Sequence, residues 1–161
     1  MFLEYRVMVL KRARAFTLVE LVIVVVILGI IAAIAIPRMS RGARGAVDSK
    51  LKADLAVLRA AINMFAAEHN GNYPSATDFV DQMTLYSDLG GDTNATRTAP
   101  FIYGPYLEAI PVLQIGEEAG SNGVGTAAGA GIAWIYNATS GRISANTGTL
   151  TDDAGVLYSD Y

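Results

Sequence analysis

One carboxylate stands near the start of the longest apolar run in the chain. Glu20 lies within residues 16–36, where every other residue except Thr17 and Gly29 is apolar. A carboxylate at the centre of a bilayer costs about 2.5–3.5 kcal/mol on insertion scales, and less towards an edge. Such a group is stabilised when a positive group pairs with it. The sequence therefore makes Glu20 a candidate functional residue, because a purely structural anchor would not need it.

A second group of acids lies near the end of the chain, where Asp152, Asp153 and Asp160 are accompanied by Thr151 and Ser159. Oxygen ligands of this kind suit Ca²⁺. The spacing is not that of an EF-hand loop, and a solvated acidic segment explains the same residues. The sequence leaves both interpretations open, and it requires no other cofactor.

Other site chemistry is limited by composition. The chain has no cysteine, which excludes disulfides and cysteine nucleophiles. His69 is the single histidine, so a zinc site is not expected, and we predict that its ring caps a helix end or lies in solvent. No carboxylate pair or Ser-His-Asp arrangement has a catalytic spacing, so the sequence does not predict an enzyme.

The element that carries Glu20 is long enough to cross a membrane. Residues 16–36 would form a helix of about 30 Å, which is the thickness of a bilayer core. Basic residues flank this run on both sides, and nine of the 12 Lys and Arg residues lie within the first 52 positions. The remaining part is acidic, so we expect the C-terminal domain to be exported and not to bind nucleic acid.

Three interpretations of this segment compete. A cleaved secretory signal fits its basic and apolar regions but not its length or Glu20. An ordinary signal anchor leaves Glu20 unexplained. The third interpretation rests on residues 11–37, where a basic leader precedes Phe16-Thr-Leu-Val-Glu20, an apolar stretch and Pro37. This segment resembles the N-terminus of type IV pilins, which the pseudopilins of type II secretion share.

The resemblance implies processing by a prepilin peptidase, which would remove residues 1–15 as a cytoplasmic leader. The cut would fall between Ala15 and Phe16, and the new amine of Phe16 would be methylated. The family usually has glycine before the cut, and this chain has Ala15 instead. We expect the amine of one copy to pair with Glu20 of a neighbouring copy, which would fix the register of a helical homopolymer.

Gly29 and Pro37 predict a weak stretch within the same helix. Glycine lowers helix propensity by about 1 kcal/mol relative to alanine, and proline cannot donate the hydrogen bond of its turn. The resemblance implies that this part extends in filaments, whereas a membrane helix with a tolerated kink is the simpler alternative. The predicted divisions are a leader at 1–15, a transmembrane or filament-core helix at 16–37, and an amphipathic helix with a globular periplasmic head at 38–161.

Beyond Pro37, apolar residues recur at helical spacing and predict that the first helix continues to about His69. The stripe consists of Val47, Leu51, Leu55, Leu58, Ile62 and Phe65. We expect Asp48 and Lys52 to pair on the exposed side of this helix. Asn70-Gly71 predicts the helix end.

The head is expected to add a short helix and a small sheet. Ser75 is the predicted N-cap of a helix that runs to about Leu89, with Phe79, Val80, Met83 and Tyr86 facing inward. A hairpin is predicted for 132–137 and 142–146, with Trp134 and Tyr136 on one face, and residues 116–131 are predicted to form a mobile loop. The fold class is therefore α+β, with a long N-terminal helix packed on a small antiparallel sheet.

Two segments of the head, Leu58–Pro74 and Gly104–Pro111, resemble the major pseudopilin of type II secretion. Calcium in the C-terminal loop is also a property of that family. The function implied is a structural subunit of a pseudopilus in the bacterial inner membrane, with a single membrane pass and a periplasmic head. Its partners would be further copies, the prepilin peptidase, the inner-membrane assembly platform, minor pilins or pseudopilins, and membrane lipid. A type IV pilus subunit is the close alternative, and a membrane-tethered binding module using Trp134 and Tyr136 is the alternative of another class.

Overall fold

The computed structural model describes residues 16–161, without the side chains of 36–41. The chain divides into two compact units, one ending at Gly42 and one from Ala43 to Tyr161. The predicted leader, residues 1–15, lies outside the described residues.

The long N-terminal helix is confirmed. Helix α1 spans Leu18–Glu68, a length of 51 residues. It ends where the sequence predicts. Asn70 and Gly71 take positive φ angles of 56° and 85°, which are incompatible with a continued α-helix. The amide of Gly71 donates to the carbonyl of Ala66 at 2.7 Å, so the end of the helix is closed by a local turn that favours glycine.

The first part of α1 is apolar on every side. Leu18–Ala35 is long and apolar enough to cross a membrane, with a mean hydropathy of 3.1, and none of this window is buried within the chain itself. A helix without a polar face requires apolar surroundings, which a bilayer or neighbouring helices provide.

In the second unit, α1 supplies one wall of the core. The predicted stripe is buried from Leu51 onwards, and each fully buried aliphatic side chain contributes about 1.5–3 kcal/mol relative to exposure. The same cluster contains Phe79, Met83, Trp134, Tyr136 and Ile143. Two contacts on the helix surface differ from expectation: Lys50 pairs with Asp54 at 2.5 Å, whereas Asp48 accepts a hydrogen bond from Tyr158.

Helix α2 is shorter than predicted. It spans Phe79–Thr84, and the predicted N-cap Ser75 lies four residues before it. The reciprocal bonds between Ser75 and Asp78 form, but they close the turn that precedes the helix. Leu85 is extended, because the chain then enters strand β1 (Tyr86–Ser87), which pairs antiparallel with β2 (Thr93–Asn94). Val80 is exposed, so its predicted inward position is wrong.

The predicted hairpin is confirmed, and the sheet that contains it is mixed. Strands β4 (Ile132–Asn137) and β5 (Arg142–Ala145) pair antiparallel, with Tyr136 opposite Ile143. Strand β3 (Gly123–Gly125) pairs parallel with β4, although the sequence predicted a loop there and an antiparallel sheet. A short 3₁₀ helix at Tyr158–Asp160 follows. The α+β class is confirmed, with a mixed three-stranded sheet and a separate two-stranded ribbon.

Candidate assembly site

The start of α1 is built around Glu20 and Thr17. The Oε2 atom of Glu20 accepts from the amide of Thr17 at 2.9 Å and from its hydroxyl at 2.8 Å. The Thr17 hydroxyl oxygen in turn accepts from the Glu20 amide at 3.1 Å. This is a capping box, in which the first polar residue and the acid three positions later satisfy free amides of the first turn.

The capping role of Thr17 was not among the expectations from the sequence. The spacing Thr-x-x-Glu at the start of an apolar run is the pattern that would have identified this box. It gives Glu20 a second role within its own chain, because a glutamate in this position stabilises the helix start and also suits the positive end of the helix dipole.

The Glu20 carboxylate remains accessible to another molecule. Glu20 and Phe16 are both exposed, and Phe16 keeps 82% of its surface. Among residues 16–161, the hydrogen bonds to this carboxylate all end on Oε2. The second carboxylate oxygen can therefore accept from a cation of a neighbouring chain while the cap remains intact.

Gly29 lies in the interior of α1, and no atom of the described residues lies within 4 Å of the position that a Cβ would occupy there. The chain's own packing thus does not require glycine at this position. Helix α1 is assigned continuously through Pro37, whose side chain is among those not described. The predicted role of Gly29 and Pro37 in flexibility stays a prediction.

The three tail acids are placed separately. Asp152 accepts at Oδ1 from the amides of Ala154 and Val156, both at 2.9 Å, and at Oδ2 from the Tyr161 hydroxyl at 2.5 Å. These bonds hold the pKa of Asp152 below its ordinary value, with the Tyr161 hydroxyl as the largest cause.

Asp153 faces Arg44 at 3.6 Å, and Asp160 lies at an open groove of about 590 Å³ lined also by Arg59 and Arg142. Within residues 16–161, no three His, Cys, Asp or Glu side chains form a group that could hold a metal ion. Calcium binding by Asp152, Asp153 and Asp160 stays a prediction, and thermal melting with added calcium tests it. A melting temperature that does not rise at millimolar calcium contradicts it.

The aromatic side chains considered for ligand binding are in the core. Trp134 and Tyr136 are fully buried, and each hydrogen-bonds a backbone carbonyl: Trp134 that of Pro111 at 2.8 Å, and Tyr136 that of Pro74 at 2.9 Å. Burial raises the pKa of Tyr136 to about 12. Neither side chain is available to a ligand at the surface, so the structure gives no support to a binding platform there.

His69 is buried, so the predicted solvent position is wrong, whereas the predicted cap forms, because the ring bonds a carbonyl in the last turn of α1. Its ring stacks on Phe65 with 3.7 Å between the ring centroids. Nδ1 lies 2.8 Å from the carbonyl oxygen of Phe65, and Nε2 lies 3.1 Å from the hydroxyl of Ser87. The imidazole therefore joins the last turn of α1 to strand β1.

Comparison with known proteins identifies the N-terminal segment. A family model described as the prokaryotic N-terminal methylation motif matches residues 10–36. No curated protein and no solved structure gives a significant match. The matched motif is the prepilin-type motif of type IV pilins and pseudopilins, and it contains Ala15, Phe16, Thr17, Glu20 and Gly29.

Proposed function

We propose that this chain, whose N-terminal segment carries the prepilin-type methylation motif, is a structural subunit that polymerises into a helical filament. The observation that carries the proposal is an exposed carboxylate at the start of the apolar part of α1, within that motif. A prepilin peptidase would cut between Ala15 and Phe16 and methylate the new amine. The mature chain would be held in the bacterial inner membrane by Leu18–Ala35, with its head in the periplasm.

Assembly would bring the amine of Phe16 in one copy to Glu20 of the next. In apolar surroundings each charge alone is costly, and the pair removes much of that cost. A shift by one residue would separate the charges, so pairing selects one register. The apolar surface of α1 would then pack against the same surface of other copies as they leave the lipid.

The resemblances of Leu58–Pro74 and Gly104–Pro111 favour the major pseudopilin of a type II secretion system. The platform and minor subunits of that system would be the further partners. A subunit of a type IV pilus is the alternative, and gene deletion in the host separates the two. Loss of protein secretion supports the pseudopilus, whereas loss of surface pili with normal secretion supports the pilus.

A set of variants in the full-length gene separates the two roles of Glu20. Glu20→Gln keeps an acceptor for the capping box but removes the charge, whereas Thr17→Val keeps the charge but removes the box hydroxyl. If charge pairing drives assembly, Glu20→Gln and Glu20→Ala abolish filaments and Thr17→Val retains them. The measurement is electron microscopy of filaments, with membrane fractionation to show that each variant is inserted.

The reverse pattern contradicts the proposed mechanism. Filaments from Glu20→Gln, together with their loss in Thr17→Val, would assign Glu20 to helix capping alone. Mass spectrometry of the mature N-terminus provides an independent check. A chain that retains residues 1–15 in its host would contradict prepilin processing and would favour a membrane-tethered module instead.

A further inference from the structure

The C-terminal segment, residues 150–161, folds back onto one short stretch of α1, residues 44–52. The Tyr158 hydroxyl donates to Asp48 at 2.6 Å, and Lys52 places its Nζ 4.2 Å from the centre of the Tyr161 ring. Arg44 and Asp153 add an exposed ion pair at 3.6 Å, which contributes little by itself. These contacts are all made by side chains within the second unit.

The C-terminal segment is also closed by hydrogen bonds of its own. The amide of Asp152 donates to the carbonyl of Val156 at 2.9 Å, and the amide of Tyr158 donates to the carbonyl of Leu150 at 3.1 Å. The Asp152 carboxylate closes the loop and holds the Tyr161 hydroxyl. The rings of Tyr158 and Tyr161 meet edge to face, with centroids 5.4 Å apart. A loop closed by its own bonds loses less conformational entropy on docking than an open one does.

Most of the stretch of α1 that it contacts precedes the core, and Gln114 and Ile115 line the same small pocket beside it. Residues 43–50 are exposed except for half-buried Val47 and Asp48, and the core begins at Leu51. Among the described atoms, none lies within 4 Å of a Cβ position at Gly42 or Gly45, and glycine weakens a helix at each place. The Ser49 hydroxyl donates to the carbonyl of Gly45, a bond that also tends to weaken helices. Helices in proteins depend on tertiary packing, and here the C-terminal segment provides a part of it, beside Gln114 and Ile115.

We propose that residues 150–161 act as a strap that keeps residues 44–52 helical and sets the point beyond which opening of α1 does not spread into the head. The main contact between this strap and α1 is made by Tyr158, whose ring is buried and whose hydroxyl donates to Asp48. Tyr161 makes the second contact, because its ring lies beside Lys52 of α1 while its hydroxyl is held by Asp152 of the strap. This inference goes beyond the proposed function, because it concerns the single chain and does not require polymerisation.

Hydrogen–deuterium exchange of the full-length chain in detergent micelles tests the strap. Tyr158→Phe removes the hydroxyl and keeps the ring, and Tyr136→Phe is the matched control, because its hydroxyl bonds Pro74 elsewhere in the core. Losing a hydrogen bond to a charged group raises local opening about ten-fold or more. We expect exchange at residues 43–52 to rise by about that factor in Tyr158→Phe and to stay within about two-fold of the unmodified chain in Tyr136→Phe.

The double variant Tyr158→Phe/Tyr161→Phe should increase exchange at residues 43–52 further while the amides of β4 and β5 stay protected. Unchanged exchange at 43–52 in both the single and the double variant would overturn the inference. An equal rise across the whole head would also overturn it, because the tail would then add general stability and no local control of the helix.

Discussion

The contacts of His69 and Thr17 show which roles of single residues can be predicted from the sequence and which depend on the fold. His69 was expected to cap the end of α1 or to lie in solvent; it bonds the Phe65 carbonyl, and its buried ring is also stacked on Phe65 and bonded to Ser87. The sequence does not show this, because Ser87 lies 18 positions away and reaches the ring only through the fold. Thr17 is the opposite case, since its capping role follows from a local spacing that the sequence does contain.

Replacing His69 with alanine should destabilise the head strongly. The change removes a buried ring and leaves the Ser87 hydroxyl and the Phe65 carbonyl without this partner, at a cost of about 2–4 kcal/mol. Urea unfolding followed by the fluorescence of Trp134, the single tryptophan, measures this. Asn63→Ala on the exposed surface of the same helix is the control. Equal midpoints for the two variants would show that the buried contacts of His69 contribute nothing.

The raised pKa values of two tyrosines predict that the free energy of unfolding falls in alkaline solution. The hydrogen bond to Asp48 is the largest cause that raises the pKa of Tyr158 to about 12, and burial raises that of Tyr136 to about 12. The ordinary tyrosine pKa is 10.0, so the unfolded chain ionises first. The stabilisation is complete below about pH 10 and is lost as the pH rises towards about 12. Tyr136→Phe/Tyr158→Phe should therefore show a flatter decline in the free energy of unfolding between these pH values than the unmodified chain.

Elements that depend on local pattern were predicted well, and those that depend on distant partners were not. The period of the apolar stripe predicts α1, and the β-forming residues around Gly141 predict the hairpin. The end of α2 is set by the pairing of β1 with β2 and by the bridge between Ser87 and Tyr103, which local propensity does not contain. Strand β3 was missed because Gly-Val-Gly has little β propensity; its glycines allow close approach to β4.

The turn of the hairpin gives an element-scale prediction. Gly141 has a φ of +66°, and a Cβ there would lie 2.5 Å from the ring of Tyr73. Gly141→Ala should thus add a steric clash to the cost of a left-handed backbone, about 1–3 kcal/mol in all. Gly148→Ala is the matched control, because φ is +58° and no atom lies within 4 Å of the Cβ position. Thermal unfolding of both variants separates the two costs, and equal losses would show that Tyr73 moves aside freely.

At the scale of the whole molecule, the two units carry different kinds of stability. The second unit has a packed core that joins α1, α2 and the sheet. The first unit exposes nearly its whole apolar surface and has no core of its own among the described residues. Its helix is stable only with lipid or other copies around it, so environment and assembly belong to its folding. The apolar run and the amphipathic stripe have different patterns, so the sequence already distinguishes a helix that needs apolar surroundings from one that packs on a core.

The proposed register of the filament can be tested by exchanging Val19 and Glu20. The variant Val19→Glu/Glu20→Val keeps the composition, length and hydropathy of the helix but moves the charge by one residue, about 100° around the helix and 1.5 Å along it. We expect normal membrane insertion without filaments, measured by fractionation and electron microscopy. The exchange also removes the acid from the capping box, so Thr17→Val serves as the control for a lost cap, and exchanging Leu21 and Val22 controls for altered apolar packing. Filaments of normal abundance from the Val19/Glu20 exchange would show that the position of the charge does not select the register, and the packing of the apolar surfaces would then have to do so.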